Sequence, residues 1–232
     1  MGFSNPKNVH LRGYGGELLD EDFIESNHYI DDLTDQPIVD LGDRIVFYLR
    51  GVVGLAKINE SSTNNIGITE NYTSDHSYYF LHEENTEAPK IKYADKLTEG
   101  VVKESTYTAI KWQKFDDINI AKTGRNWYGS KFNDGDSKKF TFQFDNIIAG
   151  ATGYIYSNIM TSSTSISEFS ILTNTTNKSE DFGKRKIKAK NEDEYTLGFE
   201  KTIVVDVTQS EDNTISATYK YSTASITGAG YI

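Results

Sequence analysis

Five stretches in the second half of this chain alternate apolar and polar residues with a period of two, and that period constrains the fold more than any other feature. Phe140, Phe142 and Phe144 alternate with Thr141 and Gln143. Ile187 and Ala189 alternate with Lys186, Lys188 and Lys190, and Tyr195, Leu197 and Phe199 with Thr196 and Gly198. Ile203, Val205 and Val207 form another ladder, and Ile215, Ala217, Tyr219 and Tyr221 the last. Successive side chains of a strand point to opposite faces, so each stretch offers one face to a core and the other to water. A helix would repeat its apolar residues every three or four positions instead. Polar turn clusters separate the ladders: Asn133-Asp134-Gly135-Asp136, residues 174–179, Asn191-Glu192-Asp193 and Glu211-Asp212-Asn213. Strands at this spacing predict a two-sheet, jelly-roll-like β-sandwich.

The first half is less regular. Ile45-Val46-Phe47-Tyr48-Leu49, bounded by Gly42-Asp43 and Gly51, reads as a buried strand, and so does Ser77-Tyr78-Tyr79-Phe80-Leu81. The Asn-, Ser- and Thr-rich stretch 59–75 between them reads as an exposed loop. One or two short helices are expected. Residues 116–122 begin with Asp116-Asp117 and end with Lys122 before Gly124, which suits the charge preferences of helix ends. A second helical turn is expected near Asp20-Glu21-Asp22-Phe23. The whole is mostly β: a β-rich N-terminal domain with irregular loops over 1–110, then the sandwich over 111–232.

The composition supports a packed protein. Fifteen Tyr, 12 Phe and 2 Trp supply bulky core material in 232 residues. The net charge of −10 disfavours nucleic-acid binding through phosphates and docking on an anionic membrane. The chain has no cysteine, hence no disulfide, thiolate nucleophile or Cys-based metal site. No stretch approaches the roughly 20 apolar residues that span a bilayer, so no direct membrane insertion is expected. Met1-Gly2 reads as a vector remnant, and any export signal is expected outside this chain.

Candidate sites are few. His10, His28, His76 and His82 are scattered without paired ligand spacing and read as ordinary surface or loop residues. The acidic stretch Asp31, Asp32, Asp35, Asp40 and Asp43, and the pair Asp134 and Asp136, offer oxygen ligands suited to Ca²⁺ without the EF-hand spacing, so no cofactor is expected beyond that weak Ca²⁺ option. Gly13-Tyr14-Gly15-Gly16 lacks the Lys-Ser/Thr of a phosphate loop and reads as a tight turn needing positive φ. Trp112, Trp127 and Tyr128 could stack on sugar rings, although large aromatics more often carry packing. Four Asn-x-Ser/Thr triplets occur, at Asn59, Asn71, Asn174 and Asn177, and no GxSxG elbow does.

Three segments, in order, say more. The first is Gly13-Tyr14-Gly15-Gly16-Glu17 with Ile30-Asp31-Asp32-Leu33 and Gln36-Pro37-Ile38. The second runs from Gly42-Asp43-Arg44-Ile45 to Arg50-Gly51, with Tyr78-Tyr79-Phe80-Leu81 downstream. The third runs from Ile118 through Thr123-Gly124-Arg125-Asn126-Trp127-Tyr128-Gly129 to Phe132, leading into Phe140-Thr141-Phe142. In this order they resemble the region preceding the peptidase domain in PorU-like sortases of the type IX secretion system, which are gingipain-type cysteine peptidases of Bacteroidetes. The resemblance extends to about residue 145 and rests beyond it on strand pattern. Gln113-Lys114-Phe115-Asp116 stands where the family often has His or Glu-Lys-Asp, and the acidic loop before Gly42-Asp43 is shortened.

The resemblance implies a non-catalytic accessory region of an exported, surface- or outer-membrane-associated peptidase. Its partners would be the downstream peptidase domain of the same chain, secreted cargo and outer-membrane proteins. The end at Tyr231-Ile232 is expected to fall within a strand, with the catalytic Cys and His beyond it. Gly124, Arg125, Trp127, Tyr128 and Gly129 would form a structural motif at the junction of the two parts. The alternative is a carbohydrate-binding or cell-adhesion sandwich module of an exported protein.

Overall fold

Three of the five period-two ladders, those around Phe140, Ile203 and Ile215, become antiparallel sheet. The computed structural model describes residues 2–16, 33–57, 66–94, 105–120, 122, 126–186 and 197–232. Among these residues the chain is almost entirely β, and it divides into two compact units, Met1–Thr106 and Tyr107–Ile232.

The first unit opens on a 3₁₀ turn, Pro6–Asn8, capped by the Asn5 side chain accepting from the Lys7 amide. Its strands are β1 (Val9–Gly15), β2 (Asp35–Gln36), β3 (Ile38–Asp40), β4 (Ile45–Phe47), β5 (Val53–Lys57), β6 (Ile66–Glu70) and β7 (Tyr78–Glu83). They form a three-stranded sheet ordered β2-β1-β7 and two hairpins, β3-β4 and β5-β6. Leu11, Ile38 and Ala88 make its small core, with Ile45, Phe47, Tyr79 and Leu81 packed around them.

Three expectations change here. The stretch 59–75 contains a strand, because Ile66-Gly67-Ile68-Thr69 alternates and pairs with β5. The runs at 45–49 and 77–81 are not buried throughout: Val46, Tyr48, Leu49, Tyr78 and Phe80 are exposed, and only the alternate side chains Ile45, Phe47, Tyr79 and Leu81 pack inward. The glycines at 13 and 15 sit on β1 rather than in a tight turn. They do take positive φ, +153° and +91°, where the register of β1 against β7 shifts.

The second unit holds β8 (Lys131–Phe132), β9 (Ser137–Gln143), β10 (Thr152–Ser162), β11 (Ser167–Leu172), β12 (Asn177–Phe182), β13 (Phe199–Thr208), β14 (Thr214–Thr223) and β15 (Ala229–Tyr231). Two four-stranded sheets, β13-β10-β15-β8 and β12-β11-β14-β9, enclose a shared core. Counted from β8, the orders are 6-3-8-1 and 5-4-7-2, which is the jelly-roll arrangement of two sheets linked by crossing connections. The expected ladders deliver that core: Ile203, Val205 and Val207 from one sheet face Ile215, Ala217, Tyr219 and Tyr221 from the other. Phe169 of β11 meets Phe132 edge-on at 5.3 Å and Tyr221 at 5.0 Å.

The helix expected over 116–122 is absent among its described residues. Ile118 exchanges two backbone hydrogen bonds with Tyr128, both 2.9 Å, and is thereby held extended. The segment also lacks an apolar face at helical spacing, since Ile118 and Ile120 fall two apart. The second expected turn, near Asp20, lies outside the described residues. The turn expected over 174–179 is shorter than the sequence suggested: β12 begins at Asn177, an edge strand whose only buried side chain is Phe182. The ladders containing Ile187 and Tyr195, and the turn at Asn191, lie largely outside the described residues.

Candidate functional site

Tyr128 forms an isolated antiparallel bridge with Ile118, the chain bends at Gly129, and the neighbours Trp127 and Tyr128 differ sharply in burial. Tyr128 is 5% exposed and its ring lies 6.1 Å from that of Tyr231, whereas Trp127 is 41% exposed. Burial, and then the nearby Glu200 carboxylate, push the Tyr128 phenol far above its ordinary range, so it stays a neutral hydroxyl. Asn126 Nδ2 donates to the same carboxylate at 3.1 Å.

The amides of Gly129 and Ser130 both donate to the Ile232 carbonyl, at 2.8 and 3.0 Å, and the Ile232 amide donates back to Ser130 O at 3.0 Å. A Cβ on residue 129 would stand 2.7 Å from Cβ of Phe115, so glycine is required there by space. The motif is therefore a seam stitching residues 126–132 to the C-terminal strand. Core packing, the role expected for both aromatics, falls to Tyr128 alone, because Trp127 and Trp112 (58% exposed) face solvent. Gly124 and Arg125 lie outside the described residues.

The acidic candidates are engaged in local structure. Asp136 Oδ2 accepts from the Asn133 amide at 2.7 Å and from Asn133 Nδ2 at 3.2 Å. Asp134 Oδ1 accepts from the Thr223 amide at 2.8 Å. Asp40 Oδ1 accepts from the Gly42 amide, and Asp43 lies 3.5 Å from Arg44. Asp31 and Asp32 lie outside the described residues. Among the described residues, no three His, Asp or Glu side chains converge as metal ligands. Asn71, of the second Asn-x-Ser/Thr triplet, orders the loop around it. Its Oδ1 accepts from the Thr73 and Ser74 amides while Nδ2 donates to Gly16 O.

A cluster that sequence reasoning missed lies in the first unit. His10 and Arg12 share one face of β1, and register places them opposite His82 and Phe80 of β7, with Asp35 of β2 beside Arg12. The opposite face carries Leu11 and Leu81 into the core. His10 reads as a surface residue in sequence but is 3% exposed, because the segment at 84–86 covers it. Its Nδ1 lies 3.0 Å from Asp35 Oδ2 and its Nε2 3.1 Å from the Thr86 carbonyl.

Arg12 ties the two carboxylates together, with Nε donating to Asp35 Oδ1 at 2.6 Å and Nη2 to Glu84 Oε1 at 2.7 Å. Glu84 also stands 3.8 Å from His10 Nε2 and 3.4 Å from His82 Nε2, and the two imidazoles are 5.5 Å apart. The Arg12 hydrogen bond, aided by His10, holds the Asp35 carboxyl below its ordinary range even though burial opposes this. Of the other histidines, His76 is an exposed loop residue paired with Asp75, and His28 lies outside the described residues.

What the architecture defines is a class: a small β unit followed in sequence by a jelly-roll sandwich. No family model and no curated protein matches the chain. Among solved structures it is similar to the dimeric latent PorU of Porphyromonas gingivalis, with 23% identity and a TM-score of 0.69. The likeness covers 99% of this chain and 22% of that one, and it is a likeness of fold. No helix among the described residues is long and apolar enough to cross a membrane.

Proposed function

We propose that this chain is a non-catalytic accessory region of a PorU-like surface cysteine peptidase of the type IX secretion system. In that role it positions the peptidase domain or contacts secreted cargo and outer-membrane partners, on the extracellular side of an exported protein. One observation carries the proposal: the fold likeness to PorU runs over 99% of this chain while taking up 22% of the PorU chain. The ordered motifs point the same way, and a chain without cysteine cannot itself supply a cysteine nucleophile. The coding sequence beyond codon 232 tests it. A gingipain-type peptidase domain is expected there, and an unrelated domain or a stop codon would overturn the proposal. The purified chain is also expected to give blank peptidase and transpeptidase assays.

A carbohydrate-binding or adhesion module is the second reading, favoured by the solvent-facing Trp112 and Trp127. A glycan array, with a thermal shift in Ca²⁺ and in chelator, separates the two. Glycan binding lost on Trp127→Ala supports the second reading, and a silent array leaves the first.

A further inference from the structure

The His10 environment has a chemical peculiarity that does not depend on the function proposed above. A neutral imidazole has one N–H and one bare nitrogen. The atoms opposite both His10 nitrogens can only accept: the Thr86 backbone carbonyl at 3.1 Å and the Asp35 carboxylate at 3.0 Å. Asp35 is kept ionised by Arg12, so it does not offer a proton in return. Only the doubly protonated imidazolium satisfies both contacts.

The surrounding charge agrees. The groups facing His10 are Asp35 from β2, Glu84 and the Thr86 carbonyl from the covering segment, and His82 from β7, with Arg12 bridging the two carboxylates. Burial alone would pull the His10 pKa down, but the Thr86 hydrogen bond and the two carboxylates outweigh it and raise the value above 6.5.

Besides His10, these elements are held by Arg12 bonding Asp35 and Glu84, by Gln36 Nε2 donating to Gly13 O at 2.7 Å, and by the Glu84 and Ala88 amides donating to the Asn8 and Lys7 carbonyls, both at 3.0 Å. β2 is two residues long and meets β1 at two register positions, Leu11↔Gln36 and Arg12↔Asp35. We propose that protonated His10 is a clasp that, alongside Arg12, fastens β2 and the 84–86 segment onto β1, and that loss of its proton loosens this edge. The first unit is thus proton-sensitive: fully fastened in neutral or mildly acidic surroundings, looser at its β2 edge in alkaline ones. The sign follows from linkage. A group whose folded pKa is raised contributes its full stability below its ordinary value, and that contribution is lost as pH rises through the folded value. Each pH unit of elevation corresponds to about a tenfold change in the opening equilibrium.

The test is NMR titration of the His10 ring in the whole chain from about pH 5 to about pH 10, with amide exchange of β1, β2 and residues 84–88 followed alongside. The expected result is a His10 midpoint above 6.5, with protection of Gln36 and its neighbours falling through the same transition after correction for intrinsic exchange. Asp35→Asn is expected to lower the midpoint. His10→Gln, which keeps a donor toward Thr86 but no charge, is expected to show weak, pH-independent protection. Should either variant fail to fold, the wild-type titration decides alone. A midpoint at or below 6.5, no transition in the range, or protection that persists unchanged through the transition overturns the proposal.

Discussion

The hydroxyls of Ser157 and Tyr219 meet at 2.6 Å inside the jelly roll, one from each sheet. Both residues are buried, so each is the other's replacement for water. Tyr219→Phe is expected to destabilise the second unit by about 1–2 kcal/mol, since it leaves the Ser157 hydroxyl buried without its partner. Adding Ser157→Ala to it should cost less than the sum of the two single changes. Urea denaturation of the four proteins measures this.

The aromatic pair of the Gly-Arg-x-Trp-Tyr-Gly motif separates cleanly. Tyr128→Ala removes a buried ring and is expected to cost about 3–5 kcal/mol. Trp127→Ala removes an exposed one and is expected to cost under about 1 kcal/mol. The order is the reverse of what a core Trp127 would give, and thermal or urea unfolding of both variants checks it.

Gly230 is required by space. A Cβ there would lie 2.4 Å from the Phe169 ring and 2.9 Å from that of Tyr221. Gly230→Ala is expected to destabilise by about 1–3 kcal/mol through overpacking. Gly135 is the contrast: its φ is +81° but a Cβ would meet nothing within 4 Å, so Gly135→Ala carries backbone strain alone, roughly 1 kcal/mol.

At the acid end, Arg12 and Asp35 control the first unit. The Asp35 pKa is lowered, so its contribution is present above its ordinary value near 3.8 and is lost as pH falls through the folded value. Arg12→Ala removes the main cause of that lowering. The Asp35 carboxyl resonance is expected to titrate at higher pH in the variant, and acid unfolding of the first unit to begin earlier. Carboxyl-carbon NMR against pH reads both.

The jelly roll was legible where the core-facing residues were apolar, as in β13 and β14. It was hidden in β10, the longest strand, because Ser157 and Thr161 occupy core-facing positions between Ile155 and Ile159 and beyond, and interrupt the apolar ladder. It was hidden again in β12, a polar edge strand defined by pairing with β11 rather than by its own side chains. The 116–122 segment carried helix-end charges, but Ile118 answers to Tyr128, ten residues on. The His10 cluster could not be read at all. His10 and Arg12 alternate with Val9 and Leu11 as any solvent-facing pair would, and it takes Asp35, His82 and the segment at 84–86, all distant in sequence, to enclose the imidazole.

The place of β15 has a consequence for how the sandwich comes to exist. β15 lies between β10 and β8, and the two-residue β8 has no other neighbour in its sheet among the described residues. Until residues 229–232 dock, then, β10 has an open edge and β8 has no strand partner among the described residues. Closure of that sheet therefore depends on the last strand, and a chain whose residues 229–232 have not docked presents an unpaired sheet edge to whatever is nearby.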